Sequence, residues 1–164
     1  MEFPNLPYLF DEDVKITETL AIMQYIAKKW KPELLGRNAA EVGRIHMLEY
    51  HLYQLKFQSA GPCYAPDANA ETIVNAVRPL LASIYAVSCN SPYLCGENIT
   101  YLDFMYHELI EALSWLSGGS FIQEFPNLQG YCERMTTLYN PEFVQENQTL
   151  LFNGAMATLN NHPQ

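Results

Sequence analysis

Long apolar runs are missing from this 164-residue sequence, basic residues are few, and charged residues of both signs make up only 16% of it. The first absence removes a transmembrane helix, which needs about 20 consecutive apolar residues. The second leaves nine Lys and Arg against 18 Asp and Glu, a net charge of -9. Such a chain repels phosphate backbones and anionic lipid, so no nucleic-acid partner is expected. Cysteine is sparse as well. Cys63, Cys89, Cys95 and Cys132 include no C-x-x-C pair, so they read as free thiols, and neither a zinc site nor a dithiol centre is expected. His46 and His51 are five apart and lie off one another's helical face, which adds no metal-binding pattern. The opening MEFPNLPYLFDEDV shows neither a basic leader nor a signal-type apolar stretch. The expected location is therefore the cytoplasm or a soluble intracellular assembly, and the sequons at Asn98 and Asn147 read as idle.

Hydrophobic residues, by contrast, reach 49%, with eleven tyrosines and eight phenylalanines. That is enough apolar surface to offset folding entropy and to build a dense core or line a ligand cleft.

Along the chain, Leu6 to Phe10 and Val14 to Ile16 flank an acidic break and predict a β-hairpin with a rather long turn. A helix is expected from Thr17 to Trp30, with Met23, Ile26, Ala27 and Trp30 inward and Lys28 and Lys29 favourably placed in its last turn. Pro32 and Gly36 end it. Ile45, Leu48, Leu52 and Leu55 predict a second helix that stops at Gly61-Pro62. A third spans about Ala70 to Val87 with Ile73, Val77, Leu80, Leu81 and Ile84 inward, and Pro79 predicts a kink or break near Asn75 to Pro79. The clearest local signal is Ile99-Thr100-Tyr101-Leu102-Asp103-Phe104. Thr100 suits an N-cap, Asp103 can reach back to the Thr100 N–H, and Ile99 and Phe104 can form a staple. The resulting helix runs to about Leu116 and ends at Gly118-Gly119. A further helix after Pro126 places Leu128, Tyr131, Cys132, Met135 and Leu138 on one side. A short helix and an apolar tail around Leu150 to Phe152 close the chain.

Periodicity thus predicts a mainly α fold, a helix bundle with a small hairpin in front, and no function. The quoted residues taken together carry more. Phe3-Pro4-Asn5-Leu6-Pro7-Tyr8-Leu9 and the stretch Lys15 to Ile22 are similar to the end of the thioredoxin-like domain of mu-class glutathione transferases. Tyr25-Ile26-Ala27-Lys28-Lys29 continues that pattern. Gly61-Pro62-Cys63-Tyr64, Ile99 to Phe104 and Phe125-Pro126-Asn127-Leu128 follow in the order of that family's helical domain. The resemblance implies a partial thioredoxin-like domain over residues 1–31 and an all-α domain over 37–164.

The same resemblance implies part of a glutathione site. Leu6-Pro7 matches a leucine and cis-proline whose backbone pairs with the cysteinyl portion of glutathione. Asn5 matches a hydrogen-bonding residue, while Glu18 and Thr19 match the positions that hold the γ-glutamyl end beside a helix N-terminus. Glu18 departs from the usual glutamine, and its charge favours the ligand's ammonium but repels its carboxylates. Tyr64 matches a tyrosine on the electrophile side; a helix-end core aromatic is the competing reading. Phe3 matches the aromatic key inserted into a partner subunit, whereas Gln54 stands where an acid usually reaches the neighbouring subunit's glutathione. The family's opening β-α-β segment, with the tyrosine that stabilises the thiolate, is expected to be missing before Phe3, so no catalytic residue is assigned. That absence predicts an exposed strand edge at Leu6–Phe10, covered by a dimer mate, another chain or the C-terminal tail. Three functional readings follow: a non-catalytic structural or binding subunit, an active transferase seen as a shortened chain, and a bare helical scaffold.

Overall fold

A computed structural model of the chain describes residues 2–140, Glu142 and 156–159. The apolar tail expected around Leu150 to Phe152 lies outside the described residues.

The hairpin forms from β1 (Tyr8–Asp11) and β2 (Val14–Thr17), an antiparallel pair in which Tyr8 faces Thr17 and Asp11 faces Val14. Only Glu12 and Asp13 lie in the turn, which is shorter than expected. Glu12 makes it possible by adopting φ 52, since two-residue loops that match strand twist need a left-handed residue. Among the described residues β1 has β2 as its only strand neighbour.

Helix α1 (Thr19–Trp30) follows. Ala27 is buried, and Leu20 and Met23 pack against the core. Ile26 and Trp30 do not join them, contrary to expectation: they are 41% and 59% exposed. The inward stripe runs along Leu20, Met23 and Ala27, which turns Ile26 and Trp30 to the outer side. There Trp30 meets Tyr25 edge-on at 6.3 Å and carries the Lys29 ammonium over its ring. The Asp11 carboxylate accepts from the Tyr25 hydroxyl at 2.8 Å and from the Lys29 ammonium, clamping the hairpin to the last turns of α1. These two donors hold the Asp11 carboxyl below its ordinary range.

Gly36 redirects the chain after a short 3₁₀ turn at Pro32–Leu35. Its φ of +96 and a notional Cβ only 3.0 Å from the Val42 backbone nitrogen leave room for glycine alone. Helix α2 (Ala39–Ala60) is capped by Asn38, whose Oδ1 accepts from the Ala40 and Glu41 N–H groups, and it buries the expected Ile45, Leu48, Leu52 and Leu55. Helix α3 (Ala70–Ser88) runs continuously through Pro79, so of the expected kink or break the break does not occur. Pro79 and Asn75 both lie on the exposed side, where water can serve the Asn75 carbonyl that loses its helical donor and the ring meets no packed neighbour. Leu80 is only partly buried, and Val74 takes its place in the inward stripe.

The bundle is organised around α4 (Tyr101–Leu116), which packs against α1, α2, α3 and the later helices and is buried on almost every side. Its start is built as the sequence implied. Asp103 Oδ2 accepts from the Thr100 N–H at 2.7 Å and from the Thr100 hydroxyl at 2.9 Å. Oδ1 accepts from the Leu94 N–H at 2.8 Å, and the Tyr131 hydroxyl donates to the Asp103 carbonyl at 2.9 Å. Burial pushes the carboxyl up while these donors act against it. After Gly118-Gly119 come a short α5 (Ser120–Gln123) and α6 (Pro126–Thr136). Leu128, Tyr131 and Met135 are buried and Cys132 partly so; Leu138, expected on the same side, lies past the end of α6 and is 49% exposed.

Candidate functional site

The front unit and the bundle meet at a cleft of about 280 Å³. One wall is the segment Asn5-Leu6-Pro7 with the start of α1, Glu18, Thr19 and Leu20. The other is a face of α2, Tyr53, Lys56, Phe57 and Ala60, continued by Gly61, with Met105 from α4. The Thr100–Asp103 cap is not in the cleft, but it starts the helix that carries Met105.

The first wall has a built geometry. The Leu6–Pro7 peptide is cis. Asn5 Oδ1 accepts from the Leu6 N–H at 2.9 Å, while its Nδ2 donates to Glu18 Oε1 at 3.1 Å. The Asn5 amide therefore ties two segments 13 residues apart and sets the Glu18 carboxylate beside Leu6-Pro7. Glu18 adopts φ 73, ψ 121, a strained conformation for a residue with a side chain, and such strain concentrates at binding sites. It immediately precedes the first turn of α1, which contains no acidic residue and whose cap makes no side-chain bond to the free N–H groups. Those N–H groups and the Thr19 hydroxyl suit a carboxylate, and Glu18 suits an ammonium. The set suits a small ligand that carries both a carboxylate and an ammonium.

All five residues expected from the resemblance to hold glutathione, Asn5, Leu6, Pro7, Glu18 and Thr19, thus line one cleft. Tyr64 does not line it; it ends the 3₁₀ turn Gly61–Tyr64 and is 41% exposed. Phe3 projects outward, 74% exposed, and its carbonyl accepts from the Thr17 hydroxyl at 2.8 Å. Gln54 sits on α2 outside the cleft lining. The sequence reading missed Tyr53, Lys56 and Phe57. Their spacing with Ala60, i, i+3, i+4 and i+7, was the available signal of a second α2 face beside the core stripe.

A family model for the N-terminal domain of glutathione S-transferases matches residues 1–28, and one for their C-terminal domain matches residues 55–140. A glutathione S-transferase of Tyrophagus putrescentiae is 35% identical over 167 residues, covering 98% of this chain and 73% of the relative. The chain belongs to the glutathione S-transferase family. Other members it resembles are glutathione S-transferase 2 of Gallus gallus, 33% identical over 79% of this chain and 57% of the relative, and human glutathione S-transferase Mu 2, 32% identical over 84% and 63%. The solved structure of the glutathione S-transferase Blo t 8 has the same fold, with a TM-score of 0.80 at 21% identity over 98% of this chain and 78% of that one.

The family's fold accounts for the hairpin packed before a helical bundle. Among the described residues no cluster of His, Cys, Asp and Glu could hold a metal ion, and no helix is long and apolar enough to cross a membrane. The cysteines are free and none lines the cleft. Burial pushes the Cys95 and Cys132 thiols up to about 11, so neither supplies a thiolate near neutral pH.

Proposed function

We propose that this chain is a mu-class-like family member that binds glutathione in the cleft without turning it over, and that it serves as a binding or structural subunit of a dimer or larger assembly. The observation that carries the reading is the convergence of Asn5, Leu6, Pro7, Glu18 and Thr19 on one cleft, joined by the Asn5–Glu18 hydrogen bond. The γ-glutamyl carboxylate sits on the first N–H groups of α1 and the Thr19 hydroxyl, its ammonium faces Glu18, and the cysteinyl backbone lies along Leu6-Pro7. The thiol then points along the cleft toward α2. Among the described lining residues the one tyrosine is Tyr53, which stands on α2 and not beside Leu6-Pro7. With no tyrosine of the described lining on the Leu6-Pro7 wall to stabilise a thiolate, binding without turnover is the reading favoured.

A second reading, conjugation of glutathione to small electrophiles, draws support from the aromatic α2 wall, which suits an apolar co-substrate, and from the relatives named glutathione S-transferase. Isothermal titration with glutathione beside a turnover assay with a general aromatic electrophile separates the two. Binding without turnover supports the first reading, and ordinary turnover defeats it. The mass of the native N-terminus tells whether a tyrosine-bearing segment precedes Phe3 in the mature protein.

The proposed domains are residues 1–31 and 37–164. Leu6, Tyr8 and Phe10 are 76%, 53% and 59% exposed beside the unpaired side of β1, which supports a protein partner along that edge. Four free thiols suit the reducing cytoplasm as its compartment.

A further inference from the structure

A second, much narrower cavity of about 20 Å³ lies between α4, the end of α3 and α6, and it shares no lining residue with the cleft. Ser88 from the last turn of α3, Tyr106 from α4, and Asn127 and Tyr131 from α6 reach it. Tyr106 is only 1% exposed, and its hydroxyl is the one buried side-chain polar atom among the described residues without a hydrogen-bond partner. Burial pushes that hydroxyl's pKa up, so its proton stays on and needs an acceptor; leaving it unpaired is costly. The neighbouring Ser88 hydroxyl acts on it but lies outside hydrogen-bonding geometry.

The other polar groups of the cavity have already given their protons elsewhere. The Ser88 hydroxyl donates to the Ile84 carbonyl at 3.0 Å, and the Tyr131 hydroxyl to the Asp103 carbonyl at 2.9 Å. Asn127 Nδ2 donates to the Cys89 carbonyl at 2.7 Å. Each keeps an oxygen that can still accept. One donor therefore faces several acceptors, and what completes the set is a molecule that accepts once and donates twice. An internal water does so, and it needs about 10–15 Å³ and 2–4 polar partners. The cavity has that room and those partners, and it is too small for a larger polar solute.

We infer that this cavity is a binding site for a single internal water molecule, which accepts from the Tyr106 hydroxyl and donates to Ser88 Oγ and to an α6 oxygen, that of Asn127 or Tyr131. The water ties α4 to the end of α3 and to α6. Because the site lies outside the cleft, it stands independently of the glutathione reading.

Three measurements on the full chain test this, and the first needs no variant. A high-resolution crystal structure shows an ordered water about 2.6–3.2 Å from both the Tyr106 hydroxyl oxygen and Ser88 Oγ. A cavity without ordered solvent, or a Tyr106 hydroxyl bonded directly to a side chain, overturns the inference. Magnetic relaxation dispersion of water, which counts long-lived internal molecules, gives one fewer in Tyr106→Phe than in wild type; equal counts overturn it. In urea the Tyr106→Phe midpoint falls by about 0.5 M, because the water loses a partner. A midpoint that rises means that the substitution has shed an unpaired hydroxyl, and the inference fails. It fails equally if the midpoint falls with no water lost, since the hydroxyl then has a direct partner in the protein.

Discussion

Replacing Asp103 by alanine tests the central claim about how the bundle is held, because a single carboxylate there serves several donors. Its two oxygens accept from the Leu94 N–H, the Thr100 N–H and the Thr100 hydroxyl at 2.7 to 2.9 Å. The Tyr131 hydroxyl, which donates to the Asp103 carbonyl, also lies 3.3 Å from Oδ1. Leu94, Thr100 and Tyr131 are all buried, so water cannot replace the lost acceptors without opening the packing. The Thr100 hydroxyl can rotate and Tyr131 keeps its carbonyl, which leaves two backbone N–H groups orphaned. At about 1–3 kcal/mol for each buried unsatisfied donor, with some relief from removing a desolvated charge, the net loss is about 3 kcal/mol. Urea unfolding followed by circular dichroism reads this directly. With a slope of about 2 kcal/mol per molar urea, the midpoint falls by about 1.5 M. Asp103→Asn retains the acceptor for Leu94 but turns an amide toward the Thr100 N–H, so its midpoint falls between the two. An alanine variant within about 0.5 kcal/mol of wild type would refute the reasoning, since surface substitutions do no more than that.

Four further outcomes are expected. Thr19→Val removes a donor from the proposed γ-glutamyl site and weakens glutathione binding about tenfold by calorimetry, with thermal stability unchanged. Gly36→Ala, forced into φ +96 against the Val42 nitrogen, lowers stability by about 1–3 kcal/mol in the same urea assay. His107 is buried, with Nδ1 3.1 Å from the Tyr139 hydroxyl, and burial holds its imidazole below the ordinary 6.5 against the opposing pull of Glu111. The unfolded chain therefore takes the proton first, and stability is full above pH 6.5 and falls as the pH drops toward the folded-state value; His107→Asn should flatten that stretch of the stability-against-pH curve, and an unchanged curve counts against it. Under the partner reading, Phe3→Ala weakens self-association at least tenfold in sedimentation equilibrium, whereas a wild type that is monomeric at all concentrations removes that role.

Local signals in this chain were legible where the residues that make a structure are neighbours in sequence. Thr100 and Asp103 are three apart, so the cap at the start of α4 could be read directly. The Ile45–Leu55 stripe of α2 could be read from spacing. The outer face of α1 could not, because periodicity alone admits both Ile26 and Ala27 and only packing chooses between them. Whether Pro79 would break α3 could not be read for a similar reason: the cost of a helical proline depends on whether its ring and the orphaned carbonyl face solvent, and a one-dimensional sequence does not say which. One wall of the cleft was named from the Asn5 to Thr19 pattern. The other, Tyr53 to Phe57, lies more than 30 residues onward, and its meeting with the first wall is a tertiary event.

That meeting is held by Glu49. Its Oε1 accepts from Gln24 Nε2 of α1 at 2.7 Å and from the Tyr101 hydroxyl of α4 at 2.6 Å, so one carboxylate of α2 bridges three helices. Burial and that carboxylate push the Tyr101 hydroxyl up, which keeps it a proton donor to the bridge at any physiological pH. Apolar contacts such as Ala27 against the bundle hold surfaces together but tolerate sliding, whereas hydrogen bonds of this length tolerate little. The width of the cleft, whose walls belong to different stretches of the chain, is in this sense a property of Glu49. Moving the α1 wall away from α2 stretches this bridge, whose residues do not themselves line the cleft.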